Sequence, residues 1–432
     1  MTTRREFLRA SGGAAAGFWI AGRQRGYGQE KSPNAKLNVA CVGVGGMGGG
    51  NLKGVSGENV VALCDVDRRT LESAAKAHPA AAKHEDFRKM LETGKGIDAV
   101  VVSTPDHTHA AAAVMAMRLG KHCYCEKPLA HDVYETRVMT ETARKTRVAT
   151  QMGNRGNSSE KIRRTVELVR AGAIGTVKEV HTWTNRPIWP QALDRPPAKP
   201  VPEHLNWDFW LGPAPERPYH DSLHPFKWRG WWDFGTMALG DMACHIMNAP
   251  FWALTLPAPL AVEAEGEPRH PETGPSWMTV RYEFPNVKMT WYDGKRKDEK
   301  GESAPNLPSA ELAHGQKISP GGGTLFIGDK GILLDGRVLP EARAKDFGEP
   351  PPMLLRCPGD NHYADWIEAA KGLRAACSNF DFAGPLTEIV LLGIVAYRTG
   401  KRLEWDAAAM RAKNAPEADA FLKREYRKGW TL

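Results

Sequence analysis

An aspartate and a histidine four residues apart, Asp241 and His245 in the stretch Gly240-Asp241-Met242-Ala243-Cys244-His245, would share one face of a helix. A carboxylate and an imidazole so placed are types that orient a substrate and transfer protons. Two further stretches carry ionisable groups at the ends of apolar runs. Glu126-Lys127-Pro128 follows His122–Cys125, and Thr104-Pro105-Asp106-His107-Thr108-His109 follows Ile97–Val102. If those runs are parallel strands, both stretches lie at the carboxyl ends, where open α/β sheets bind ligands. Each residue also has a plainer reading. Lys127 would be a solvated strand-end lysine, Asp241 a helix N-cap behind Gly240, His245 a core histidine, and His109 a packing residue in an Ala-rich helix.

A fourth stretch is Gly43-Val44-Gly45-Gly46-Met47-Gly48. It follows the apolar run Leu37–Val42 and opens a helical pattern, the context a dinucleotide-binding fingerprint needs. Gly43 permits the tight turn, Gly45 lets the backbone approach a pyrophosphate, and Gly48 lets the helix pack close to the strand. The helix N-terminus, with Gly46 and Met47 in its first turn, offers amides to the phosphates. Asp65 ends the next apolar run, 22 residues after Gly43, where an acid hydrogen-bonds a ribose 2′-hydroxyl. A carboxylate there favours NAD over NADP. Thr104, Pro105, His109 and Glu126 complete the expected cofactor side. No metal centre is expected, since Cys123 and Cys125 form a C-x-C pair without a second cluster.

These groups need a scaffold. From Leu37 to Met152 short apolar runs alternate with amphipathic stretches, implying a parallel sheet with crossover helices. A helix is expected over Lys161–Ala171 and a strand over Val177–Thr184. Strands are also expected over Met278–Phe284, Lys288–Tyr292, Thr324–Ile327 and Ile332–Leu334, with Asp329-Lys330-Gly331 as a hairpin turn. Helices return at His362–Gly372 and Leu386–Thr399. The segment 185–234 is rich in Pro and Trp, and 183–234 holds half of the 14 tryptophans (Trp183, Trp189, Trp207, Trp210, Trp228, Trp231 and Trp232). Large aromatics suit either packing or ring stacking. Packing is expected for most, with Trp231 and Trp232, near Asp241 in sequence, contacting substrate. Asn154, after the run Val148–Met152, is a further substrate candidate, and His181 and Arg186 are placed near the site.

The chain has 432 residues, 42% hydrophobic and 25% charged, with net charge +8, an ordinary soluble composition. No block of like charge suggests nucleic-acid binding. Seven cysteines are present, and Cys41, Cys64 and Cys123 sit in apolar runs as buried thiols. The N-terminus carries Thr3-Arg4-Arg5-Glu6-Phe7-Leu8-Arg9 before a small-residue stretch, Ala10 to Gly22. This reads as a twin-arginine export signal, too short to span a bilayer, which takes about 20 residues. It lacks a clean A-x-A site, so the leader is either retained as a tether or cut elsewhere. The expected partners are the twin-arginine export machinery, with no membrane span in the mature chain, and the expected location is the periplasm. A twin-arginine substrate crosses already folded, so no disulfide framework is expected. The organisation expected is signal and linker (1–35), a Rossmann domain (36–155), an α+β substrate domain (156–385) and a helical segment packing back (386–432).

The glycine loop, T-P-x-x-x-H, E-K-P and D-x-x-x-H, in that order, resemble the Gfo/Idh/MocA oxidoreductases, from about Leu37 to the C-terminus. The resemblance implies a Rossmann domain plus a substrate domain with a large open, mostly antiparallel sheet, often used for a homodimer or homotetramer. It implies NAD(P)-dependent hydride transfer at a carbinol carbon of a sugar, glycoside or polyol. The family's catalytic lysine falls on Lys127, which would lower the pKa of the reacting hydroxyl. Its acid and histidine fall on Asp241 and His245, the histidine as general acid/base. Glu126 is implied against the nicotinamide ribose, and Pro128 at a cis-proline position. Alternatives are a redox-neutral, NAD-dependent glycoside cleavage and a non-catalytic sugar-binding role. Free nicotinamide cofactor is scarce outside the cytoplasm, so an exported chain of this kind would fold and load NAD before leaving.

Overall fold

The structure is a computed structural model that describes residues 35–189, 191–297 and 301–432. The arginine motif, the stretch behind it and nearly all of the linker lie outside the described residues. The first half is a six-stranded parallel sheet in the order β3-β2-β1-β4-β5-β6. Its strands are β1 (Asn38–Val42), β2 (Asn59–Cys64), β3 (Ala82–His84), β4 (Ala99–Val102), β5 (His122–Cys125) and β6 (Thr150–Met152). The helices between them are α1 (Gly46–Val55), α2 (Arg68–Ala75), α3 (Phe87–Thr93), α4 (Asp106–Arg118) and α5 (Val133–Thr146). This is the doubly wound Rossmann order. The four residues of β4, Ala-Val-Val-Val, are all buried, as expected for a parallel strand covered on both faces.

The strands end in register, and that lines up the loops. Gly43 N donates to Cys64 O, Ser103 N to Val42 O, Glu126 N to Val102 O and Gly153 N to Cys125 O, at 2.8–2.9 Å. The glycine loop, the Thr104 loop, the Lys127 loop and Asn154 therefore sit along one sheet edge. Asp67, Asp86 and Asp132 cap α2, α3 and α5 with their side chains, worth about 1 kcal/mol each. Two of the helices that start at this edge differ. α1 and α4 begin behind Gly45 and Pro105, with no side-chain cap.

The second half begins with α6 (Glu160–Arg170) and β7 (Val177–Thr184). The segment 185–234 is largely irregular, with a short helix α7 (Trp207–Leu211). Then come α8 (Met237–Ile246) and α9 (Asn248–Leu254). A ten-stranded sheet follows the order β14-β13-β12-β7-β10-β9-β8-β15-β16, with β11 on β10. Its other members are β8 (Ala261–Gly266), β9 (Trp277–Glu283), β10 (Lys288–Lys297), β11 (Ser303–Pro305), β12 (Gly322–Gly328), β13 (Gly331–Leu334), β14 (Arg337–Leu339), β15 (Leu403–Asp406) and β16 (Arg411–Ala412). Only β7 and β10 pair in parallel. One face packs on α8 and on a long helix; the other carries Trp183, Leu325 and Leu334, partly covered by Leu307, Leu312, Ala313 and Ile318.

The closing helices are α10 (Glu341–Phe347), α11 (His362–Ala370), α12 (Phe380–Thr399) and α13 (Asp419–Leu422). The expected boundary at Leu386 is too late. α12 starts six residues earlier, behind the Asn379 cap, and runs through Pro385. Nor is the tail simply helical, since β15 and β16 extend the large sheet. α12 packs against α5, α8 and β8, so it joins the two halves. Among the described residues it is the one helix long and apolar enough to cross a membrane; 72% of that apolar window is buried inside the protein, which marks a core helix.

Candidate active site

Lys127 and Asp241 meet across the two halves. Lys127 Nζ donates to Asp241 Oδ1 at 2.5 Å and to the Asp241 carbonyl at 3.0 Å, with the side chains only 9% and 13% exposed. The Lys127–Pro128 peptide is cis, as the resemblance implied. Asp241 lies within α8, whose N-cap is Thr236, so it is not the helix cap. Burial pushes the Asp241 carboxyl up, but the charges of Lys127 and Arg229 outweigh it and hold the group below the usual carboxylate range. Arg229 Nε is 3.4 Å from Asp241 Oδ1, and its guanidinium lies 4.2 Å over the Trp228 ring.

His245 stands one helical turn further along α8. Burial, then the positive charge of Lys127, pushes its imidazole down to about 3. In the resting site it is neutral, and the same shift makes it a weak base until charge developing on a substrate oxygen offsets the Lys127 cation beside it. The site therefore holds a cation, an ionised carboxylate and a neutral base together. That set can hold a hydroxyl by hydrogen bonds and take its proton when negative charge develops.

The cofactor side fits a dinucleotide. Gly43 has φ +78°, and a Cβ there would meet the Ser103 carbonyl at 2.7 Å; a Cβ on Gly48 would meet the Gly43 carbonyl at 2.0 Å. Only glycine permits this close packing of α1 on the loop. Gly45, Gly46 and Met47 remain partly or fully exposed at the edge, beneath Arg155, whose Nη2 is 3.1 Å from Met47 Sδ. The Asp65 carboxylate accepts from Val44 N and Asp67 N, both at 2.9 Å, leaving each oxygen a further lone pair. Thr104 Oγ1 is buried without a partner, beside Pro105 at the start of α4. An uncapped helix N-terminus, an acid at the end of β2 and an unsatisfied hydroxyl are what NAD would engage. A cleft of about 960 Å³ borders the loop between α1 and α2, lined by Gly45, Gly46, Asp67 and Arg69; none of Lys127, Asp241 and His245 lines it.

Glu126 is held in place by Asn51 of α1, whose Nδ2 donates to Glu126 Oε1 at 3.0 Å and to Ser103 Oγ at 2.7 Å. Asn51 Oδ1 in turn accepts the Tyr363 hydroxyl at 2.7 Å. The carboxylate packs flat on Gly153, where a Cβ would sit 2.6 Å away.

Several expected contacts are not made. His109 has one ring nitrogen on Pro128 O and the other on Thr104 O, both at 2.8 Å, and is 1% exposed. It ties the Thr104 and Lys127 loops together and has no free ring nitrogen for cofactor. Trp231 and Trp232 are buried, with their indole N–H groups donating to Ser222 O and His270 O at 2.9 Å. Both are core residues, not substrate platforms. Asn154 is fully buried, its Nδ2 3.4 Å from the Cys244 carbonyl while its Oδ1 has no partner. His181 stacks on Tyr292 and pairs in register with Leu325, on the sheet face of Trp183 rather than that of α8.

Sequence reasoning missed Arg229, Asn51 and Tyr363, which reach the site from distant positions, and Asp106, which lies inside the quoted stretch. The Asp106 carboxylate accepts from Thr236 Oγ1 at 2.5 Å and Thr236 N at 3.2 Å. The insertion also does more than fill space. Leu205 bridges Asp67, Arg68 N donates to His204 O, and Asn206 N to Val66 O, both at 2.9 Å. It thereby packs on the corner that carries Asp65.

Comparisons with known proteins agree with this architecture. Residues 37–154 match the Gfo/Idh/MocA model described as an oxidoreductase family, NAD-binding Rossmann fold. Residues 160–307 match the companion model, an oxidoreductase family C-terminal alpha/beta domain. A glycosyl hydrolase family 109 protein of Solibacter usitatus is 34% identical over 166 residues, 34% of this chain and 37% of that protein. Inositol 2-dehydrogenase 1 of Saccharopolyspora erythraea is 41% identical over 99 residues, 22% of this chain and 29% of that protein. The chain thus spans well under half the length of these curated relatives. The crystal structure of the WlbA dehydrogenase from Bordetella pertussis, in complex with NADH and UDP-GlcNAcA, superposes with a TM-score of 0.60 at 17% identity, over 86% of this chain and 99% of that one. At that identity the likeness speaks to the fold alone.

Proposed function

The chain belongs to the Gfo/Idh/MocA oxidoreductase family, and on that premise we propose that it is an exported, NAD-dependent oxidoreductase acting on a carbinol carbon of a sugar, glycoside or polyol. The observation that carries the reading is the meeting of Lys127, Asp241 and His245 at the sheet edge that also presents the glycine loop and Asp65. Bound NAD would supply the hydride acceptor. The protein's own groups do the rest. Lys127 holds the substrate hydroxyl and stabilises the charge that grows on its oxygen, Asp241 orients Lys127, and neutral His245 receives the proton. Gly43 to Gly48, Asp65, Thr104 and Glu126 would hold the nucleotide. The arginine motif supports export, and export favours cofactor loaded before departure and retained.

Mass spectrometry of the native protein, together with nucleotide-dependent turnover of a panel of sugars, tests this. Protein purified with NAD that oxidises or reduces a sugar supports it; no bound nucleotide and no nucleotide-dependent turnover would sink it.

The similarity to glycosyl hydrolase family 109 proteins favours a second reading, in which the hydride is returned and a glycosidic bond is cleaved without net redox change. Release of a sugar from a glycoside, with no accumulation of NADH and no added acceptor, separates the two.

A further inference from the structure

A second cluster of reactive groups lies around α11, apart from the Lys127 site. Cys357 precedes α11 and Cys377 follows it, and their sulfurs are 3.7 Å apart. The Cys357 sulfur receives Arg163 Nη2 at 2.8 Å, and Ser158 Oγ lies 3.4 Å from the Cys377 sulfur. A guanidinium in contact with a thiol favours the thiolate, the nucleophilic form. Asp365 completes a group with the spacing of a metal site. Its carboxylate, however, already faces Arg374 at 3.0 Å, as Cys357 faces Arg163. A divalent cation there would sit against two guanidinium groups. Bond formation between the sulfurs needs no such charge. Access is one-sided: Cys357 is buried while Cys377 is partly exposed.

We propose that Cys357 and Cys377 are a redox-active dithiol that closes to an intramolecular disulfide and staples the segment carrying α11. The oxidant is a small-molecule or protein disulfide. The Cys377 thiol passes its proton to the neighbouring Cys357 thiolate and attacks one of the oxidant's sulfurs; the oxidant's S–S bond breaks, and the released thiolate takes that proton from Cys357 and leaves as a thiol. The Cys357 thiolate then attacks the Cys377 sulfur of the mixed disulfide and expels the second group. Two electrons pass to the oxidant; the Cys377 proton leaves on the first released thiol, and the second group leaves as a thiolate that takes its proton from water. The staple acts on the site through α11. His362 Nε2 is 2.7 Å from the Met152 carbonyl at the end of β6, and Tyr363 holds Asn51, which holds Glu126. Closing the loop fixes the ends of the segment that supports the cofactor-side carboxylate.

The test does not depend on catalysis. The full chain is equilibrated with oxidised glutathione or with dithiothreitol, denatured under acid, and its free thiols are counted and mapped by mass spectrometry. The reduced protein should show seven free cysteines; the oxidised protein should show two fewer, with a Cys357–Cys377 cross-linked peptide that dithiothreitol removes. The oxidised form should melt roughly 5 °C higher, as expected for a closed loop of this length, and Cys377→Ser should abolish both effects. Persistence of all seven thiols in oxidised glutathione would overturn the proposal. So would a stoichiometric divalent metal in the purified protein that protects both thiols until a chelator is added.

Discussion

Thr236 donates its hydroxyl to the buried Asp106 carboxylate at 2.5 Å and its backbone N–H to the same oxygen at 3.2 Å. This joins the first turn of α4, beside the cofactor loops, to the first turn of α8, which carries Asp241 and His245. It also explains Gly240, where a Cβ would lie 1.9 Å from Thr236 Oγ1. Thr236→Val should lose about 1–3 kcal/mol by leaving the carboxylate underbonded, and Thr236→Ser should restore most of it. Urea unfolding of the two variants checks this, and equal stabilities would refute the role assigned to the hydroxyl.

Lys127 and Asp241 form a largely desolvated pair, so removing one partner should hurt more than removing both. Lys127→Met is expected to lower kcat/KM on the order of 10²–10³-fold with an unchanged far-ultraviolet spectrum. Asp241 is then left with Arg229 at 3.4 Å. Adding Asp241→Asn should recover stability, with a coupling of about 0.5–3 kcal/mol in a double-mutant cycle. Additive losses would show that the two groups do not act as a pair.

How far the sequence disclosed this arrangement depended on whether a contact was local. Asp241 and His245 are one turn apart on one helix, so their spacing shows their shared face. The loops of Thr104 and Lys127 follow apolar runs, and parallel pairing then aligns strand ends without further information. Arg229, Asn51 and Tyr363 converge only because α1, α11 and the Trp-rich segment pack around the same edge; no spacing encodes that. β3 was missed because its three residues, Ala-Lys-His, carry no apolar run and lie at a sheet edge. The start of α12 was misplaced because Pro385 resembles a helix boundary; the helix accepts it near its first turns, where buried packing outweighs one lost hydrogen bond.

His245 should make the protein acid-sensitive. An unfolded histidine titrates near about 6.5, while burial and Lys127 push His245 down to about 3. Between those values the unfolded chain binds a proton that the fold does not. The contribution of His245 is therefore fully present above about pH 6.5 and is lost as pH falls toward 3, on the order of 5 kcal/mol in all. His245→Gln should flatten the wild-type stability curve across that window. Parallel curves for the two proteins would contradict the neutral state of His245 in the fold.

Asp65 should set cofactor choice. Its oxygens accept the Val44 and Asp67 amides and keep lone pairs for ribose hydroxyls, while the negative charge opposes a 2′-phosphate. Asp65→Ser should weaken NAD by about 10–100-fold, the worth of a charge-assisted hydrogen bond, and narrow the gap to NADP. Fluorescence titrations with both nucleotides measure this; an unchanged ratio of the two affinities would exclude Asp65 as the discriminating group.

Trp231 offers the clearest division between packing and recognition. It lies near Asp241 in sequence, yet its ring is 1% exposed and packs with Trp210, Trp228 and Phe234, with the Arg217 guanidinium 5.0 Å from its centre. Its N–H is spent on the Ser222 carbonyl. Trp231→Phe removes that donor and part of the ring, and should cost about 1–3 kcal/mol of stability. KM for any sugar turned over should stay within about twofold, because no face of the ring is free to stack on a substrate. Arg229→Ala, by contrast, removes a cation 3.4 Å from Asp241 and should shift kcat/KM without a comparable loss of stability. A large KM effect at Trp231 with unchanged stability would reverse the assignment.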